Sequence, residues 1–366
     1  MKHTYFLTGY PGFLASSLIK QLLHDHQKDI KQIYLLVLPS LQDKATQEIN
    51  SLAKKTGHDP GIFSIVTGDI TEPTLALDHD INREIQESVT HVFHLAAIYD
   101  LAVPKNIAFK VNVDGTKNMN NWVKTLGNLE RYTYFSTAFV AGMREGKIFE
   151  NELAAGQTFK NHYKETKYHA EVLVEDLKQS VPTTIIRPGI VKGNSKTGET
   201  IKFDGIYFML NLLDHISFLP ITPYMGDGKP EGNFVPSDYV LRATSYLAIA
   251  PVGKGKTYHL TDPNPYSMHD LQKILTKAYL GKTPKGKVPL SWVRSSLSSA
   301  PVRKWLQVEL EALDYFSINA SFDCSTAVTD LKGSGIVCPD LKDTVEPMVN
   351  FYRKYKHDRS KHIQIN

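Results

Sequence analysis

A few short stretches carry residue types that could do chemistry together. Tyr163 and Lys167 stand four apart in Tyr163-Lys-Glu-Thr-Lys167, which puts both side chains on one face of a helix. Tyrosine alone titrates near ~10 and is a poor proton donor or acceptor at neutral pH. A cation held beside it favours the phenolate and brings the group towards the working range, and Lys167 can supply that charge. Gly9 and Gly12 lie three apart in Thr8-Gly9-Tyr10-Pro11-Gly12-Phe13-Leu14-Ala15, between a β-rich stretch and a helical one. Glycines at such a joint let the chain turn tightly and let its backbone approach a pyrophosphate. The helix N-terminus then offers free N–H groups and a positive dipole end. Asp69, in Gly68-Asp69-Ile70, follows the third β-rich run, where a carboxylate can reach an adenine amino group. His94-Leu95-Ala96-Ala97 ends the fourth run with small residues that leave room for a cofactor against a sheet. Each signal is weak alone, because glycine pairs are common in turns and most Tyr-x-x-x-Lys pairs are surface accidents. Their order along the chain carries the argument.

The elements that must position these residues are legible in the first half. Strand-like runs occupy His3–Thr8, Gln32–Leu38, Ile62–Thr67, His91–Leu95, Tyr132–Ser136 and Thr183–Arg187, with helical patterns at Phe13–His24, Ala108–Leu126 and Tyr163–Lys178. Regular strand–helix alternation predicts an α/β, Rossmann-type doubly wound, mostly parallel sheet. The continuous apolar character of the runs agrees with strands buried on both faces. After Arg187 the rhythm breaks. Ile206–Ile216, Val240–Ala250, Met268–Tyr279 and Asp340–Tyr355 read as helices, and Lys256–Leu260 as one more strand. We expect a nucleotide-type domain over 1–262, with a substrate-cap insertion at about 192–235. A smaller, mainly helical cap region is expected over 263–366.

Composition narrows the class. The chain has 366 residues, 42 Lys and Arg against 38 Asp and Glu, and 42% hydrophobic residues. That is ordinary for a globular protein and excludes a disordered tail, a collagen-like fibre or a coiled coil. The small, dispersed basic excess argues against nucleic acid. Two cysteines, Cys324 and Cys338, cannot build a disulfide framework, so a reducing, cytoplasmic compartment is expected. Met1 to Thr8 has no signal-peptide layout. The most apolar run, Ile206 to Pro220, is shorter than the ~20 residues of a membrane span.

In its ordered motifs the chain resembles the extended short-chain dehydrogenase/reductase superfamily, from about residue 3 to 262. Within it, the chain is most similar to thioester reductases and fatty acyl-CoA reductases, the male sterility type. The motifs are His94-Leu-Ala-Ala-Ile-Tyr-Asp100, Val111-Asn-Val-Asp-Gly-Thr116, Tyr134-Phe-Ser-Thr-Ala-Phe-Val140, Arg187-Pro-Gly-Ile-Val191, Ser195-Lys-Thr-Gly-Glu199 and Asn233-Phe-Val-Pro-Ser-Asp-Tyr-Val240. The resemblance implies hydride transfer to a carbonyl, with Tyr163 and a hydroxyl holding the developing oxyanion and Lys167 also bonding the nicotinamide ribose. Ser136 and Thr137 are the candidate hydroxyls. The family's spacing to a following glycine, here Gly142, selects Thr137. Asn112 matches a family asparagine that anchors a helix bend and a proton-relay water, and reads equally well as a surface amide. The cofactor set implied is Thr8, Gly9, Pro11, Gly12, Phe13, Leu14, Leu38, Lys44, Asp69, Ile70, Leu95, Ala96, Ala97, Tyr163, Lys167, Pro188, Gly189, Ile190 and Val191. Relatives usually carry arginine where this chain has Leu38. Lys44 is then the nearest cation for the extra phosphate of NADPH, which we expect as cofactor, with NADH as the other option.

The implied substrate is an acyl thioester of CoA or of an acyl carrier protein, reduced to aldehyde or alcohol. Ile206 to Pro223 offers apolar side chains for the acyl group, or else is ordinary core. The rival readings are another extended-family enzyme, such as a sugar-nucleotide epimerase or a hydroxysteroid-type dehydrogenase, and a non-catalytic dinucleotide sensor. No metal site is expected: His24-Asp25-His26 suits a helix C-terminus, and His91 and His94 point to opposite strand faces. The basic tail Arg353–His362 reads as a solvated terminus.

Overall fold

A computed structural model describes residues 2–99 and 103–365; Asp100, the last residue of one motif, lies outside them. The strands are β1 (His3–Thr8), β2 (Ile30–Val37), β3 (Phe63–Thr67), β4 (His91–His94), β5 (Arg131–Phe135), β6 (Gly146–Ile148), β7 (Thr183–Pro188), β8 (Ile190–Lys192), β9 (Tyr224–Met225), β10 (Phe234–Pro236), β11 (Thr257–Leu260), β12 (Lys287–Val288) and β13 (Ala320–Phe322). Seven of them form one sheet in the order β3-β2-β1-β4-β5-β7-β11. Every pair in it is parallel. The order reverses at β1 and β4, and in such sheets ligands bind in the crevice at the carboxyl ends beside that reversal.

The helices are α1 (Phe13–His26), α2 (Gln42–Thr56), α3 (His79–Ser88), α4 (Lys105–Ala108), α5 (Gly115–Val123), α6 (His162–Leu177), α7 (Tyr207–His215), α8 (Ser237–Ile249), α9 (Met268–Leu280), α10 (Leu290–Leu297), α11 (Ala300–Leu306), α12 (Ser325–Asp330) and α13 (Leu341–Tyr355). Strand side chains alternate between two cores. Tyr5, Leu7, Ile33 and Leu35 pack towards α1, α2 and α8, whereas Phe6, Tyr34, Leu36 and Val92 pack towards α3, α5 and α6. Both sheet faces are therefore covered, which explains the unbroken apolar strands.

The single helix expected over Ala108–Leu126 is α4 and α5 joined by a wider turn, Phe109–Asp114. The cap has its own core, in which α7, α9 and α13 meet through Tyr207, Leu210, Leu271, Leu275, Met348 and Tyr352. Ile206–Pro223 accordingly serves as core and connection, and none of it reaches the main cavity described below. The expected solvated tail is docked instead. Lys356 pairs with Asp214 at 2.6 Å, Lys361 donates to the Thr200 carbonyl at 2.9 Å, and Ile365 is buried. Its basic side chains find carbonyls and a carboxylate on the cap, so its charge does not keep it in water.

Candidate active site

A cavity of about 840 Å³ lies over the carboxyl ends of the central strands, bounded by both the sheet domain and the cap. That is within the usual range for a small-molecule site. Its first wall is the turn after β1. Gly9 has a φ of +87°, and a Cβ there would come within 2.9 Å of the Ala96 backbone; at Gly12 one would meet the Gly9 carbonyl at 2.6 Å. Only glycine lets these chains pass so closely. No side chain caps α1, so the N–H groups of its first turn remain available beside Phe13, Leu14 and Ala15, which line the cavity. This cradle fits the phosphates of a dinucleotide.

Thr8 works behind the turn. Its hydroxyl lies 2.8 Å from His94 Nδ1 and accepts from the N–H groups of Leu95 and Ala96 at 3.2 and 3.1 Å. His94 Nε2 continues to Thr116 at 3.3 Å, and Thr116 donates to the Asn112 carbonyl at 2.7 Å. Burial, reinforced by the Lys167 charge, pushes His94 down to about 3. It stays neutral, as this chain of bonds requires of a ring that accepts at one nitrogen and donates at the other.

The remaining expected cofactor residues, Pro11, Leu38, Lys44, Asp69, Ile70, Ala97, Pro188, Gly189, Ile190 and Val191, also line the cavity. Leu38 is 43% exposed, and Lys44 makes a loose 3.8 Å pair with Glu48. Asp69 accepts from the Thr71 N–H at 2.8 Å, which fixes its carboxylate.

Thr137, Ser136, Tyr163 and Lys167 face the same space. The two hydroxyls differ in what they have left to give. Ser136 donates to buried Glu171. Thr137 is extended (φ −154°) and caps the following turn by accepting from the Phe139 N–H at 3.3 Å. A hydroxyl used as acceptor keeps its hydrogen for another partner. Thr137 thus has a donor to offer a substrate oxygen, and Ser136 does not.

Lys167 departs from expectation. Its ammonium donates to Tyr134 OH at 2.8 Å and to the Phe135 carbonyl at 2.6 Å. Burial pushes it down to about 7, partly offset by Glu171. Burial likewise drives the Tyr163 phenol upward, opposite to the expected effect of a neighbouring cation. The lysine head is drawn to fixed oxygens at the strand end, and desolvation then dominates the tyrosine. One of the three ammonium hydrogens remains uncommitted. Asn112 does not line the cavity. Its side chain accepts from the Ile98 N–H at 2.9 Å and donates to Thr166 at 3.0 Å. It therefore ties the loop after β4 to α6, and the surface-amide reading falls.

Sequence reasoning missed the buried ionic network behind Ser136. Arg187 grips Glu171 at 2.7 and 2.6 Å through two nitrogens, lies 3.2 Å from His259 Nε2, and donates to the Glu150 carbonyl at 3.2 Å. It also missed the wall supplied by Tyr99, Asn161, Lys164, Thr200, Ile201, Lys202, Asp204, Glu311 and Tyr315. Most of these come from irregular segments that carry no periodic signal. At the opposite ends of the strands, ligand atoms of His3, His91 and Glu130 lie within 4.8 Å of one another, a grouping made by strand register that spacing along the chain does not show. No helix among the described residues is long and apolar enough to cross a membrane.

The profile of the male sterility protein family matches residues 7–244. The chain is 28% identical over 272 residues to the fatty acyl-CoA reductase wat of Drosophila melanogaster, covering 65% of this chain and 52% of that protein. It is 26% identical over 323 residues to the aldehyde reductase lnaA of Aspergillus flavus, covering 82% of this chain and 29% of that protein. The chain thus spans about a third to a half of these curated relatives. Among solved structures, the terminal R domain from the myxalamid PKS-NRPS biosynthetic pathway superposes with a TM-score of 0.81 at 23% identity, over 98% of this chain and 92% of that one. With its glycine turn after β1, Tyr163 and Lys167 on one helix face, and this profile match over most of its length, the chain belongs to the male sterility protein family of extended short-chain dehydrogenases/reductases.

Proposed function

We propose that the protein reduces an acyl thioester, carried by CoA or by an acyl carrier protein, with NADPH as reductant. The observation that carries this reading is the pairing of two free donors, the Thr137 hydroxyl and the Tyr163 phenol, across the cavity that also holds the glycine cradle. When bound, the nicotinamide cofactor supplies the hydride. Thr137 donates a hydrogen bond to the carbonyl oxygen as charge develops on it. Tyr163, held in its acid form by burial, gives that oxygen a proton. Lys167, with two hydrogens committed to Tyr134 OH and the Phe135 carbonyl, would hold the cofactor ribose with its third.

With a thioester, the resulting hemithioacetal collapses to aldehyde and thiol, and a second round gives alcohol. Fatty acyl-CoA reductase and thiolation-reductase di-domain are the names of similar proteins, and both support a thioester. The same Rossmann scaffold also suits an epimerase or a ketone dehydrogenase. Following NADPH and NADH oxidation with acyl-CoAs, acyl pantetheines, aldehydes and UDP-sugars separates these readings. The proposal expects oxidation with thioesters and aldehydes and none with UDP-sugars.

A further inference from the structure

At the amino ends of the central strands, away from the cavity, three ligand-type side chains meet. In the parallel register Tyr5 stands beside His91, and His91 beside Arg131. His3, two residues before Tyr5, shares its face of the sheet, and Glu130 immediately precedes β5. One ligand atom from each of His3, His91 and Glu130 lies within 4.8 Å of the other two. The His3 and His91 rings meet edge to face, with centroids 4.6 Å apart. His3 Nδ1 lies 3.9 Å from Glu130 Oε2. That is too long for a hydrogen bond, yet an ion about 2.0–2.2 Å from each atom spans it. Among the described residues His3 Nδ1 is buried with no hydrogen-bond partner, and so is the Tyr5 hydroxyl. The Tyr5 ring stands 6.0 Å from that of His3 and 5.7 Å from that of His91. Buried polar atoms are normally satisfied, so two orphans in one cluster mark a site that a ligand would complete.

Thr90 sets the state of His91. Its hydroxyl accepts from the Thr4 N–H at 3.0 Å and donates its one hydrogen to the Thr4 carbonyl at 3.1 Å. Towards His91 Nδ1, 2.9 Å away, it can therefore only accept. Nδ1 carries the ring hydrogen, and Nε2 keeps its lone pair. Burial holds the ring neutral. A bond of this kind at the other nitrogen is what orients a metal-bound histidine. Arg131 brings a positive charge near, which the Glu130 carboxylate offsets. Its own hydrogen bonds go to Thr184 and to the Leu247 and Ala250 carbonyls.

We propose that His3, His91 and Glu130 bind a divalent transition-metal ion, with Zn²⁺ as the probe, as a clasp across the amino ends of β1, β4 and β5. Two imidazoles and a carboxylate suit Zn²⁺, whereas Mg²⁺ and Ca²⁺ prefer sets of oxygens. The three ligands come from segments far apart in sequence and meet only in the folded chain, so the ion stabilises the fold. The catalytic candidates lie at the other ends of the strands, and the ion has no part in their chemistry.

The test uses the full chain without a polyhistidine tag, stripped of metal with a chelator. Zn²⁺ binding is measured by calorimetry and by thermal unfolding, and Co²⁺ binding by its visible absorption. One Zn²⁺ per chain is expected, with a raised Tm, and Co²⁺ is expected to show the intense bands of a four- or five-coordinate site. Mg²⁺ and Ca²⁺ at the same concentration should leave Tm unchanged. His3→Gln and Glu130→Gln are each expected to weaken Zn²⁺ binding by at least about tenfold and to remove most of the gain in Tm. Both positions lie nearer the surface than His91, and a cooperative unfolding transition without metal shows that each variant has folded. His24→Gln, in the His24-Asp25-His26 run where His24 is 83% exposed, should leave binding unchanged. Absence of Zn²⁺ binding, affinity within twofold of wild type in both His3→Gln and Glu130→Gln, or binding lost with His24→Gln would each overturn the proposal.

Discussion

Tyr163 is protected from ionising, and that suits a reduction, in which it must start as the acid. Tyr163→Phe is expected to lower kcat/KM by at least about 100-fold, the usual worth of a positioned proton donor, with cofactor affinity changed less than threefold. Turnover within a few-fold of wild type would assign the proton to another group. On the proposed mechanism, Lys167 sets the pH dependence. Its ammonium is the dominant form below about 7 and is lost above it. If that charge is needed, kcat/KM falls as pH rises through about 7 to 8. Lys167→Arg, which stays charged, is expected to flatten this limb even at lower overall activity. An alkaline limb that is identical in both proteins would contradict the role. The spacing Tyr163-x-x-x-Lys167 disclosed the pair. It could not disclose that Tyr134 OH and the Phe135 carbonyl capture the lysine, because those oxygens arrive from another strand.

Between elements, the end of β5 decides which hydroxyl keeps a hydrogen to donate. Thr137 lies where the strand gives way to a turn, and Ser136 faces the ionic network under α6. Thr137→Ala is expected to cost more activity than Ser136→Ala, whereas Ser136→Ala should lower stability by about 1–3 kcal/mol by leaving a buried Glu171 oxygen short of a partner. Reversed activities would move the donor to Ser136. Arg187→Met strands the Glu171 charge in a site where both side chains are almost fully buried. Denaturant unfolding should show a loss of about 3–5 kcal/mol, and a loss below 1 would refute the pairing. The strands of the sheet were legible because parallel strands covered on both faces must be apolar throughout. The Glu171–Arg187–His259 set was not, since its members sit on α6, β7 and β11 and meet only after the sheet has formed. Of the two readings of Ile206–Pro223 the core one holds, and the sequence left it undecided because helical periodicity marks a buried face without saying which core or cavity receives it.

Over the whole molecule, one cavity joins the nucleotide turn to the cap, and the cap brings to it polar residues that composition alone does not reveal. At the nucleotide end, Leu38 can neither bond ribose hydroxyls nor pair with a phosphate. Leu38→Arg is expected to strengthen NADPH binding selectively by about 1.5–3 kcal/mol in a titration of both cofactors. If Lys44 already holds the phosphate, the gain will be small and Lys44→Ala will weaken NADPH binding instead. Wild type binding NADH tenfold tighter than NADPH, with neither substitution mattering, would refute the assignment. The central claim, reduction of a thioester at Thr137 and Tyr163, is tested most directly by counting free thiol released and NADPH consumed with an acyl-pantetheine substrate. The account predicts one thiol for each one or two NADPH oxidised, and neither with Tyr163→Phe. Thiol released without NADPH oxidation, or turnover of a sugar nucleotide with no net NADPH consumed, would contradict it.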